Sequence, residues 1–137
     1  MKMRIDFKTI QRAYEIAFEV KWWHTLVGLA HFEFDDEEYV APELEEIEKV
    51  LAADQGDKEQ YVANDFDCDD FSYALMGAFH KNRMTAAMPI FITKVLTPQG
   101  GHALISFYHK DTVTLIEPQT DQLFEVPPGW ALMSLTG

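Results

Sequence analysis

Residues 89–117 read PIFITKVLTPQGGHALISFYHKDTVTLIE, and this segment predicts the fold most directly. It contains three runs rich in β-branched and aromatic residues, at Pro89–Thr97, His102–His109 and Thr112–Glu117. Such residues favour strands. Short turn sequences separate the runs, at residues 99–101 and 110–111. Because short connections join antiparallel neighbours, the stretch predicts an antiparallel β-sheet.

Upstream of this stretch the apolar residues follow helical spacing. Asp6 begins a first helix whose end the pattern does not fix, and Pro42 with the acidic residues after it begins a second. Asp67 is the N-cap of a third helix, with Asp69 and Asp70 in its first turn, where the helix dipole favours carboxylates. Helices precede strands, so we predict an α+β fold, with N-terminal helices packed on a C-terminal antiparallel β-sheet.

Size and composition indicate one folded unit. The chain has 137 residues, 47% of them hydrophobic, so we predict a single domain over residues 1–137 with a packed core. The net charge of -12 disfavours nucleic acid as a partner. From Phe32 to Asp70 there are sixteen acidic and two basic residues. That region is interpreted as a solvated face, with capture of a metal or a basic partner as alternatives.

No segment indicates export or membrane insertion. No apolar run follows the basic N-terminal residues directly, and the richest apolar stretch, Val20–Phe32, is interrupted by charged and histidine residues. It is shorter than the roughly 20 residues that span a bilayer. We therefore expect no membrane contact and a cytoplasmic location. Three aromatic residues of this stretch, Trp22, Trp23 and Phe32, are assigned to the core.

Three residues form the sharpest candidate for chemistry. Cys68 stands at the start of the third helix, His102 opens a strand behind two glycines, and Glu117 ends the next strand. A thiolate attacks, an imidazole exchanges its proton, and an acid fixes the orientation of the imidazole. Each residue also has a structural interpretation, as a buried cysteine, a strand-end histidine and a surface acid.

The segments around these residues are similar to a known family. They are residues 64–72 (NDFDCDDFS), residues 101–103 (GHA) and residues 116–119 (IEPQ). In content and order they resemble the papain-like cysteine peptidase domain at the C-terminus of the Marasmius oreades agglutinin and its small bacterial and phage relatives. The resemblance covers about residues 39–126. It implies a papain-like fold with Cys68 as nucleophile, His102 as general base and Glu117 as the orienting acid.

The resemblance also implies dependence on Ca²⁺ or Mn²⁺. Four aspartates surround Cys68, and their charge opposes formation of a thiolate. They are candidate metal ligands, since hard cations prefer oxygen donors: Asp65, Asp67, Asp69 and Asp70. The alternative is that Asp67 caps the helix while the other acids are solvated. Asn64 is a candidate oxyanion-hole residue, at a place where papain-like enzymes usually have a glutamine.

Two functions follow from these observations. The first is a papain-like cysteine peptidase, amidase or acyl transferase that uses a Cys-His-Glu triad on a peptide or protein substrate. The alternative is a non-catalytic acidic binding module of the same fold, which holds a metal or a basic protein. The sequence does not define the substrate or the oligomeric state.

Overall fold

The computed structural model describes residues 2–54, 61–62 and 67–137. In these ranges the helices are α1 (Phe7–Ala17), α2 (Trp22–Leu26), α3 (Leu44–Ala53) and α4 (Cys68–Lys81). The strands are β1 (Arg4–Asp6), β2 (His31–Glu33), β3 (Glu38–Val40), β4 (Ile90–Thr97), β5 (Gly100–His109), β6 (Thr112–Glu117), β7 (Gln122–Glu125) and β8 (Ala131–Thr136).

Six strands form the main sheet, in the order β2-β8-β4-β5-β6-β7. All its neighbours pair antiparallel except β2 and β8, which run parallel, with Phe32 opposite Leu135. The strands β1 and β3 form a separate antiparallel pair. The coarse prediction of an α+β fold with a mainly antiparallel sheet is therefore confirmed.

The central hairpins follow the sequence closely. The three predicted strands are β4, β5 and β6. Lys110 and Asp111 form the turn between β5 and β6, with φ values of 49° and 63°. Two consecutive left-handed residues are typical of the type I′ turn, whose twist matches that of a hairpin.

Other predictions for the fold need correction. The sequence predicted no element at residues 131–136, but these residues form β8 between β2 and β4. Trp22 and Trp23 were assigned to the core, yet they are 76% and 44% exposed on α2. The helices cover both faces of the sheet, with α1 on one face and α3 and α4 on the other.

Strand β5 is the centre of this layered arrangement. Leu104 and Tyr108 belong to a buried cluster with α1, whereas Ile105 and Phe107 belong to a second cluster with α3 and α4. Successive residues of a strand point to opposite faces, so each face of β5 supplies one core. A nearly continuous apolar run is the pattern expected of a strand buried on both sides.

One polar chain crosses the core on the α1 side. The Tyr14 hydroxyl and the Ser106 Oγ lie 2.6 Å apart, and the same Oγ lies 2.6 Å from Thr93 Oγ1. Thr93 Oγ1 also donates to the carbonyl of Phe91. Burial raises the pKa of the Tyr14 phenol above its ordinary value. The three hydroxyls satisfy one another and join α1 to the two central strands.

None of the helices in the described ranges has the length and apolar character needed to cross a bilayer.

Candidate functional site

The structure pairs two of the three predicted catalytic residues. His102 on β5 and Glu117 on β6 approach each other, with Nε2 and Oε2 2.7 Å apart. Both side chains are about three-quarters buried. The carboxylate therefore orients the imidazole through this contact. His102 faces Val95 across the β4–β5 pairing.

Cys68 is the first residue of α4 and is partly buried. Its carbonyl accepts a hydrogen bond from Ser72 Oγ at 2.8 Å. Helix α4 packs through Leu75, Met76 and Phe79 on the side of the sheet that carries Ile105 and Phe107. The catalytic roles of Cys68, His102 and Glu117 remain predictions.

The aspartates near Cys68 act in part as helix caps. Asp67 and Asp70 form a capping box at the start of α4, in which Asp70 Oδ2 accepts the Asp67 backbone N–H at 3.2 Å. This supports the capping alternative for Asp67. Asn64 and Asp65 lie outside the described residues. In the ranges that are described, no group of three or more His, Cys, Asp or Glu side chains could hold a metal. Dependence on Ca²⁺ or Mn²⁺ stays a prediction.

A second candidate site, which sequence reasoning missed, lies at the end of α1. The helix ends in a Schellman motif: Glu19 N–H donates to the Ile16 carbonyl and Val20 N–H to the Glu15 carbonyl. The motif needs a left-handed residue, and here that residue is Glu19, with φ at 54°. Glycine is the usual choice, because the left-handed region costs other residues about 1–2 kcal/mol.

Glu19 borders a cavity of about 490 Å³ between α1, α2 and the segment before β8. Its other walls include His24 of α2 and Trp130, with Pro127 and Pro128 beside them. The cavity therefore combines a carboxylate, an imidazole and an indole. Strained residues often occur at functional sites, which makes this carboxylate a candidate ligand-binding group.

Local contacts orient the two rings of this cavity. The Lys21 backbone N–H donates to His24 Nδ1 at 2.8 Å, so the neutral ring carries its proton on Nε2. His24 also packs edge-on against Trp23, with ring centroids 4.0 Å apart. Trp130 packs edge-on against Phe124, at 5.8 Å. The sequence did not reveal the contacts that orient His24 and Trp130, because they depend on tertiary packing.

Comparison with solved structures supplies a fold likeness. A structure described as a PSL1a-E64 complex matches 98% of this chain at 17% identity, with a TM-score of 0.81. A second, of Polyporus squamosus lectin bound to the human-type influenza-binding epitope Neu5Aca2-6Galb1-4GlcNAc, matches 98% of the chain at 17% identity, with a TM-score of 0.75. The chain spans about half the length of these structures, at 51% and 49%.

No family model and no curated protein sequence matches this chain. At 17% identity the likeness to the two structures concerns the fold.

These comparisons contradict the resemblance drawn from the sequence. The matching structures are those of a lectin, so the assignments as a papain-like cysteine peptidase, a thiol protease and a hydrolase are wrong. The prediction of a peptide or protein substrate is wrong for the same reason. A physical reason lies in the motif itself. Asp67 and Asp70 cap α4, and Phe71 is buried, so helix capping and packing account for much of the short segment on which the resemblance relied.

The capping box predicts a stability effect that needs no metal. Asp67→Ala leaves the Asp70 backbone N–H without its side-chain acceptor, so we expect the free energy of unfolding to fall by about 1 kcal/mol. Asp69→Ala is the control, with a smaller loss from the helix dipole. Urea denaturation with EDTA, with Ca²⁺ and with Mn²⁺ measures both. A loss seen for Asp67→Ala only when a cation is present would contradict the capping role and favour a metal site.

Proposed function

We propose that this chain is a carbohydrate-binding module. The observation that carries the proposal is the fold likeness to a lectin along 98% of the chain. The chain corresponds to about half of that lectin. The carbohydrate binding of the whole lectin indicates the class of ligand that we propose. The proposal keeps the non-catalytic binding module inferred from the sequence, but its partner is a carbohydrate in place of a metal or a basic protein.

The cavity at the end of α1 is the ligand site in this proposal. A sugar ring has apolar C–H faces and hydroxyl groups at its edge. The indole of Trp130 offers a surface for such a face. The Glu19 carboxylate accepts hydrogen bonds from hydroxyls, and His24 Nε2–H donates one. A volume of about 490 Å³ lies in the range of small-molecule pockets.

The negative charge of the protein favours an uncharged sugar. The chain carries a net charge of -12, and the carboxylate in the cavity is itself an anion. An anionic sugar would meet like charges at close range, which opposes binding. We therefore propose a neutral carbohydrate as the ligand.

Glu19→Gly separates ligand binding from stability. Glycine adopts the left-handed conformation without strain, so we expect the free energy of unfolding to rise by about 1 kcal/mol. Loss of the carboxylate removes charge-assisted hydrogen bonds, so affinity for a neutral glycan should fall about tenfold or more. A neutral glycan panel that includes Galβ1-4GlcNAc, followed by calorimetry on its best ligand, measures affinity, and urea denaturation measures stability.

Glu48→Gln on the opposite side of the sheet is the charge control, and it should leave affinity unchanged. Trp130→Ala should weaken binding as strongly as Glu19→Gly. Failure of the wild-type protein to bind any member of the panel would refute the proposed function.

The His102–Glu117 pair favours a second candidate, a thiol centre for acyl transfer. Cys68 would be the nucleophile, His102 the base that takes its proton, and Glu117 the acid that orients His102. The Glu117 carboxylate lies 2.7 Å from His102 Nε2 and supports this candidate. It orients the imidazole through Nε2 and leaves Nδ1 for another partner.

The rate of Cys68 alkylation by iodoacetamide tests the thiol centre. If His102 activates the thiol, His102→Ala should slow alkylation at pH 7 about tenfold or more and move the pH profile of the rate to higher pH. His109→Ala is the matched control and should leave the rate unchanged. Equal rates and profiles in wild type and His102→Ala would eliminate the thiol centre.

A further inference from the structure

A second cavity adjoins the proposed carbohydrate site. Its volume is about 320 Å³, and it lies between α2 and the strands β4 and β8. The two cavities share three lining residues, which are Phe18, His24 and Ala131. The two cavities are therefore immediate neighbours.

The chemical character of the second cavity differs from that of the first. Apart from His24, its lining consists of apolar side chains and carries no acidic or basic group. Three of these side chains are strongly exposed although they are large: Leu29 at 57%, Leu96 at 50% and Met133 at 47%. Contact with an apolar group would remove this surface from water, which is favourable.

We propose that the second cavity binds the apolar aglycone of the same ligand. This inference rests on the proposed carbohydrate-binding function and narrows its ligand class to neutral glycosides with an apolar tail. The sugar lies against Glu19 and Trp130, and the tail passes His24 towards Leu29 and Met133. The shared wall of the two cavities and their contrast in polarity carry the inference.

Pairs of glycosides test the inference directly. The probes are the methyl and octyl β-D-glycosides of galactose, glucose and N-acetylglucosamine, each below its critical micelle concentration, and their dissociation constants are measured by calorimetry. Each buried methylene is worth roughly a fourfold gain in affinity. We expect the octyl glycoside of the preferred sugar to bind at least about tenfold more tightly than its methyl glycoside.

Three variants locate the tail. Leu29→Ser and Met133→Ser should remove most of the octyl advantage and leave the affinity for the methyl glycoside unchanged. Leu123→Ser is the matched control, because Leu123 is also exposed but lies on β7 and lines neither cavity. It should keep the full octyl advantage.

The outcomes separate the two proposals. Binding of methyl and octyl glycosides with equal affinity would overturn the aglycone site and leave the carbohydrate site standing. An octyl advantage that persists in both Leu29→Ser and Met133→Ser would also overturn the aglycone site, because the tail would then bind elsewhere. Absence of binding by every glycoside would overturn both proposals.

Discussion

The burial of β5 on both faces is the constraint on which the structure depends. Leu104 and Tyr108 point into the core beneath α1, and Ile105 and Phe107 point into the core beneath α3 and α4. Shifting the strand by one residue would exchange these two sets of side chains, which fixes its register. The Ser106 hydroxyl adds a polar constraint, because its partner Tyr14 belongs to α1. Helix α1 is thereby held at one position on the sheet.

The position of α1 determines where its C-terminus meets the rest of the chain. The Schellman motif turns the backbone at Glu19 and directs it into α2. The same turn places the Glu19 carboxylate beside His24 and Trp130, at the wall formed by the segment before β8. A glutamate in a left-handed conformation lowers stability, and the protein retains it at the edge of a cavity. This trade of stability for a placed functional group is common at binding sites.

Local signals in the sequence predicted the elements whose partners are close in the chain. The strands β4 to β6, their turn at Lys110 and the N-cap of α4 at Asp67 all depend on nearby residues. The sequence did not predict β8, because its pairing with β2 joins segments about a hundred residues apart. The exposed Trp22 and Trp23 were misjudged for a related reason: an aromatic pair has the same composition in a core and at a surface.

The candidate sites likewise differ in whether their residues are close together or far apart in the chain. The approach of His102 to Glu117 was predictable, since two neighbouring strands carry them. The cavity of Glu19, His24 and Trp130 draws on distant segments and has no sequence motif. The Cys-Asp-Asp-Phe segment led to a wrong prediction of function. It looked like a catalytic motif, yet capping and burial give several of its residues structural roles.

Binding of a neutral glycan at the cavity of Glu19 and Trp130 is tested by NMR of the three tryptophan indole N–H signals during titration with the best glycan. Trp22 and Trp23 lie on α2, and only Trp130 among the three lines the proposed carbohydrate cavity. We predict a saturable shift of the Trp130 signal that is several-fold smaller in Glu19→Gly at a glycan concentration equal to the wild-type Kd. A titration in which the glycan binds and the Trp130 signal stays in place would contradict the proposed site.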